Sequence, residues 1–146
     1  MHYEWGWFMT YECIDTNVIV RFLVETEESI QSEFKGVFTF FDKLETGIIR
    51  AQLPELVLFQ TYFVLTSYYN VPEKEAASKL SQIVSFKGIV ISEKSIVQEC
   101  LQLLQKSKID IVDAWLIAYA HAKKMNALYS YDKGFLKNGL QLLPIE

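Results

Sequence analysis

At 146 residues the chain is about one domain long, and an apolar fraction of 51% with many Phe and Tyr excludes an intrinsically disordered protein. The formal net charge of −4 argues against bulk electrostatic capture of nucleic acid. It does not exclude a metal-dependent nuclease, whose site concentrates carboxylates and recovers positive charge from the cation.

The opening MHYEWGWFMT lacks the basic start and the continuous apolar stretch of a signal peptide. Residues 1–10 therefore read as an N-terminal extension, with Met9 as an alternative start, and residues 11–146 as one domain without an internal linker. Residues 11–14 are a short strand candidate running into Asp15-Thr16-Asn17, and Val18 to Val24 begin a first helix. Acidic and capping residues at 25–29 precede a helix whose stripe is Ile30, Phe34, Val37, Phe38, Phe41 and Leu44, closed by a C-cap at Gly47. Ile48 to Leu53 is a second strand. Pro54 suits the first turn of the helix from Glu55 to about Tyr69. That helix is apolar nearly all round, which predicts deep burial or cover by another subunit.

Residues 73–86 form an amphipathic helix with Ala76, Ala77, Leu80, Ile83 and Val84 inward, and Gly88 precedes a third strand, Ile89-Val90-Ile91. A helix over 93–106 turns Ile96, Val97, Cys100, Leu101 and Leu104 inward, and another runs from Asp110 to Lys124. Ala127 to Tyr131 and Leu140 to Leu143 complete the strands. Alternating strands and helices predict an α/β/α domain with a mainly parallel sheet of four to five strands. No apolar run approaches the ~20 residues of a membrane span. Cys13 and Cys100 form no CxxC motif and lie in apolar runs, so both are expected as buried free thiols, as suits a cytoplasmic protein.

Ligands of open parallel sheets bind beyond the carboxyl ends of the strands. Asp15 follows the first strand there, and Asp132 the fourth. Asp110 and Asp113 lie one turn apart at a helix start, where the helix dipole favours negative charge. Taken singly, each has a plain reading as a cap or turn residue. Together, Asp15, Asp113 and Asp132 are expected to converge in one cleft with Asp110 at its rim. Clustered carboxylates repel unless a cation sits among them, and all-oxygen ligation suits Mg²⁺ or Mn²⁺. Thr16 and Ser130 are placed to hold carboxylates in position. Lys133 and Lys137 follow the last acidic motif within reach of a phosphate, although a solvated charged face is the ordinary reading.

Cys-Ile-Asp-Thr-Asn-Val-Ile-Val-Arg-Phe-Leu at 13–23 resembles the opening motif of PIN-domain proteins, especially VapC-type toxins. Asp110-Ile-Val-Asp-Ala-Trp-Leu-Ile-Ala at 110–118 is similar to their third acidic motif, and Leu-Tyr-Ser-Tyr-Asp-Lys-Gly-Phe at 128–135 to their last. The resemblance implies an endoribonuclease that uses a divalent cation, Mg²⁺ or Mn²⁺, with Asp15, Asp113 and Asp132 as metal ligands and catalytic residues. It also implies the toxin half of a toxin–antitoxin pair, with RNA as substrate, an antitoxin as partner and a homodimer as the assembly. Thr16, Asn17, Gln60, Asp110 and Ser130 surround that set as supporting or substrate-facing residues. One position departs from the family. Gln60 stands where the second helix usually carries Glu, and Glu55 lies on another face of that helix. The neutral side chain opens a second reading, a non-catalytic PIN-like domain that binds RNA or protein. A metal-dependent DNA nuclease or phosphatase is a third.

Overall fold

The computed structural model describes residues 11–146. The N-terminal extension and the alternative start at Met9 lie outside the described residues. The elements, in order, are α1 (Thr16–Val24), a 3-10 turn (Ser32–Phe34), α2 (Gly36–Thr46), β1 (Ala51–Gln52) and α3 (Glu55–Phe63) continued by a π-helical turn (Val64–Tyr68). They continue with α4 (Glu73–Val84), β2 (Ile89–Val90), α5 (Lys94–Lys106), α6 (Ile111–Ala122), β3 (Ala127–Tyr129), a 3-10 segment (Lys133–Asn138) and β4 (Gln141–Leu143).

Among the described residues every strand pairing is parallel. β1 pairs with β2 and β3 with β4, and Cys13 forms a parallel bridge to Gln52 on the other side of β1. The sheet is thus two short ladders rather than one ladder of four to five full strands. The expected strand at 11–14 contributes a single bridge, secured by Ile14 N–H to Gln52 O and Gln52 N–H to Glu12 O, both 2.9 Å. Strand period explains a second departure. Ile14 points into the core and is 4% exposed, so Cys13 before it points out and is exposed rather than buried. Cys100 is buried as expected.

The helices follow the apolar periodicity where both neighbours are helical. Ala76, Ala77, Leu80, Ile83 and Val84 of α4 are all buried, as are Ile96, Val97, Cys100, Leu101 and Leu104 of α5. Burying a Leu or Ile side chain contributes about 1.5–3 kcal/mol, and these two stripes meet within one core cluster with Leu44, Leu53, Leu58 and Leu65. Gly47 caps α2 in the left-handed conformation at φ 82°. The helix expected from Ile30 starts later. Thr26 and Ser29 exchange hydrogen bonds in a turn that satisfies the backbone locally, and only a 3-10 turn intervenes before Gly36. Phe34 is only partly buried and carries the Arg21 guanidinium over its ring at 3.5 Å.

A second, smaller apolar cluster joins the carboxyl-terminal quarter to α6: Ile117 and Ala120 against Phe135 and Leu140. Among the described residues no helix is long and apolar enough to cross a membrane.

Candidate functional site

Each of the four aspartates is exposed or partly exposed and starts an element. Asp15 caps α1, its carboxylate accepting the Thr16 N–H at 2.7 Å. Asp110 caps α6, accepting from Val112 N–H at 2.7 Å and Asp113 N–H at 3.4 Å. Asp132 caps the Lys133–Asn138 segment through Gly134 N–H at 2.8 Å. Its own N–H is held by the Ser130 hydroxyl at 3.0 Å, so Ser130 positions the Asp132 backbone rather than its carboxylate. Asp113 lies in the first turn of α6. The plain reading of these residues as caps is therefore structurally real. It leaves the second carboxylate oxygen of Asp15, Asp110 and Asp132 without a hydrogen bond to the protein among the described residues.

Asp110, Asp113 and Asp132 line one cavity of about 370 Å³, with Lys108, Lys137 and Asn138 in its wall. Burial, then the charges of Asp110 and Asp132, push the Asp113 carboxyl above the usual carboxylate range. The helix N-terminus opposes this shift and does not overcome it. Among the described residues the ion pairs are Arg21–Glu25, Lys123–Glu93 and His121–Glu99, and none of them reaches this cluster.

Asp15 lines a different cavity, with Thr16, Asn17, Gln60, Tyr68 and Tyr69. Thr16 is buried, and its hydroxyl donates to Gln60 Oε1 at 3.1 Å, which ties α1 to α3. The next residue back, Phe59, packs edge to face on Trp115 of α6 with centroids 5.1 Å apart. α3 thus touches both α1 and α6, and Gln60 shares the Asp15 cavity. Asp110, Asp113 and Asp132 thus line one cavity and Asp15 another. Among the described residues no three Asp, Glu, His or Cys side chains stand close enough to hold one ion together.

The donor set nevertheless fits a hard dication in its chemistry. Asp113 bears uncompensated like charge, and its neighbours keep an oxygen free. Asp113, Asp132 and Asp15 are the residues that would hold the ion, with Asp110 beside Asp113.

A sequence profile of the PIN domain matches residues 13–139. The chain belongs to the PIN-domain family. Curated proteins and solved structures yielded no match to it. PIN domains are generally nucleases that depend on divalent metal, and the membership supports a nuclease-type function for this chain.

Sequence reasoning missed Lys108 in the wall of the PIN-domain carboxylate cavity, and it placed no partner at His121. Lys108 is two residues before Asp110, which is the signal that points to it. The His121 contacts span 22 and 17 positions, and no local pattern marks such contacts.

Proposed function

We propose that this PIN domain is a divalent-metal-dependent endoribonuclease of the VapC toxin type, with Asp15, Asp113 and Asp132 as its metal-binding and catalytic residues. The observation that carries the reading is the like-charged cluster at Asp113, which is unfavourable in the protein alone and becomes favourable when a cation enters. A bound Mg²⁺ or Mn²⁺ supplies an activated water and neutralises phosphate charge. The chain's own residues do the rest. Asp113 and Asp132 fix the ion's position, Ser130 holds the Asp132 backbone, and Lys108 and Lys137 face the incoming phosphodiester from the cavity wall.

Gln60 supplies the test. Its Oε1 already accepts from Thr16, and the Glu side chain has the same length and keeps that hydrogen bond. A carboxylate about 4 Å from a dication adds about 2 kcal/mol of attraction in a water-like dielectric, roughly thirtyfold in affinity. Gln60→Glu is therefore expected to tighten Mn²⁺ binding in calorimetric titration and to raise metal-dependent cleavage of a mixed RNA pool, with Asp15→Asn as the inactive control. Unchanged metal affinity would place Gln60 outside the site. Tighter metal binding without cleavage above the Asp15→Asn control would favour the second reading, a PIN-like module that binds RNA or protein. The separation of Asp15 from the Asp113 cluster is what recommends that alternative.

A homodimer and an antitoxin partner belong to the same proposal. Val112, Leu116 and Tyr119 occupy one face of α6 and are 58%, 40% and 37% exposed, and Leu56 on α3 is 79% exposed. Self-association through this face predicts a dimer in sedimentation at tens of micromolar and a monomer for Leu116→Glu, since a buried unpaired charge is costly. A wild type that sediments as a monomer would exclude it.

A further inference from the structure

The Lys133–Asn138 segment supplies part of the wall of the carboxylate cavity, including Lys137 and Asn138. Its first end is fixed by Asp132. Its last residue is held by His121, at the end of α6. His121 Nδ1 lies 2.5 Å from Glu99 Oε2 on α5, and Nε2 lies 3.1 Å from the Asn138 carbonyl oxygen. An ionised carboxylate and a carbonyl only accept hydrogen bonds. A neutral imidazole carries one N–H, so one of these two contacts would set acceptor against acceptor. Imidazolium carries two N–H groups and satisfies both.

We propose that His121 is a positioning residue whose doubly protonated form pins the Lys133–Asn138 segment to α5 and α6, so that the wall of the carboxylate cavity loosens when the ring loses its second proton. The apolar hold on the segment is small, which leaves the polar pin a large share. Phe135 is its one buried side chain, packed in the cluster with Ile117, Ala120 and Leu140. Glu99 is the charged group that faces the ring from α5. Lys123, at the same end of α6, is turned to Glu93 at 3.5 Å, and Lys137 of the segment lines the cavity.

The hydrogen bond to Glu99, then that to Asn138, raises the His121 pKa above its ordinary 6.5; burial opposes this, and the Glu99 charge adds to the rise. For a raised histidine pKa, the stabilisation is complete below the unfolded value and is lost as pH rises through the folded value. The window therefore opens near pH 6.5 and extends upward.

Hydrogen exchange of the full chain, corrected for the intrinsic pH dependence of amides, tests this without metal or RNA, so its outcome is independent of the nuclease reading. Amides of residues 133–139 are expected to lose roughly two- to tenfold protection across the window in the wild type, the worth of one hydrogen bond. His121→Ala should show the low value at every pH, with no step. Glu99→Gln retains an acceptor but removes the charge, and should move the step to lower pH. His121→Lys, which can donate to both acceptors and stays charged to about pH 10, should restore protection at alkaline pH. A wild type equally protected below and above the window, or a step that persists in His121→Ala or stays in place in Glu99→Gln, would overturn the pin.

Discussion

Asp113→Asn is expected to lower metal-dependent RNA cleavage on the order of a hundredfold or more while making the metal-free protein slightly more stable. The two signs come from the same geometry. Even a side chain one shell away from a metal costs 10–100-fold in metal affinity or activity, and a direct ligand, the role proposed for Asp113, costs more. Yet in the absence of metal the carboxylate of Asp113 is held above the usual range by burial and by Asp110 and Asp132, so its ionised form opposes folding. Asn removes that charge. A like-charged helical neighbour costs about 0.2–0.5 kcal/mol, which sets the scale of the gain. Thermal melts in chelator should show Asp113→Asn equal to or above the wild type, and melts in Mn²⁺ should show the reverse order. A variant that melts well below the wild type in chelator would mean that Asp113 has a structural role and that its environment does not call for a cation.

The largest stability effect is expected from Gly88→Ala. A Cβ at Gly88 would lie 2.1 Å from the Ile49 carbonyl oxygen, 2.8 Å from that of Leu44 and 3.1 Å from Leu44 Cα. All three are backbone atoms, so no side chain can move aside, and either β2 or the end of α2 must shift. Gly88 also donates to Leu44 O at 2.7 Å and accepts from Ala51 N–H at 2.9 Å. Overpacking of this kind costs about 3 kcal/mol or more, a fall of roughly 10 °C in Tm for a domain of this size. The damage would pass along the ladder, because β1 is also the partner of the Glu12–Ile14 segment that leads into Asp15. A melting temperature within two or three degrees of the wild type would show that the two elements separate easily.

Gly88 also illustrates what the sequence can carry. There it is visible only as punctuation before a strand, since the need for a missing side chain arises from Ile49 and Leu44, some forty residues away. The stripes of α4 and α5 are legible because each residue's burial follows from its own phase on a helix packed against another helix. Strand positions are legible too, but not their extent, because hydrogen bonding ends where neighbouring strands diverge, which is a property of pairs. α3 shows the limit for amphipathicity. An all-apolar helix predicts deep burial or cover by another subunit without saying which residues face which way; the fold buries Leu58 and Tyr62 and leaves Leu56 and Phe63 exposed. The site follows the same division. Each Asp could be found from its place at an element boundary. The Thr16–Gln60 hydrogen bond, across 44 positions, and the division of the aspartates between two cavities depend on how helices pack.

The contrast between the two thiols has a practical consequence. Thiol-directed reagents attack the thiolate, and burial, with Glu99 adding to it, pushes Cys100 up to about 12, which withdraws it from such chemistry at neutral pH. Cys13 is exposed at the sheet bridge, two residues before Asp15. The unaltered protein therefore offers one attachment point for a nitroxide or fluorophore, beside the α1 cap. Paramagnetic Mn²⁺ arriving near Asp15 would broaden a spin label there, so occupancy could be followed by spectroscopy in a chain that needs no introduced cysteine.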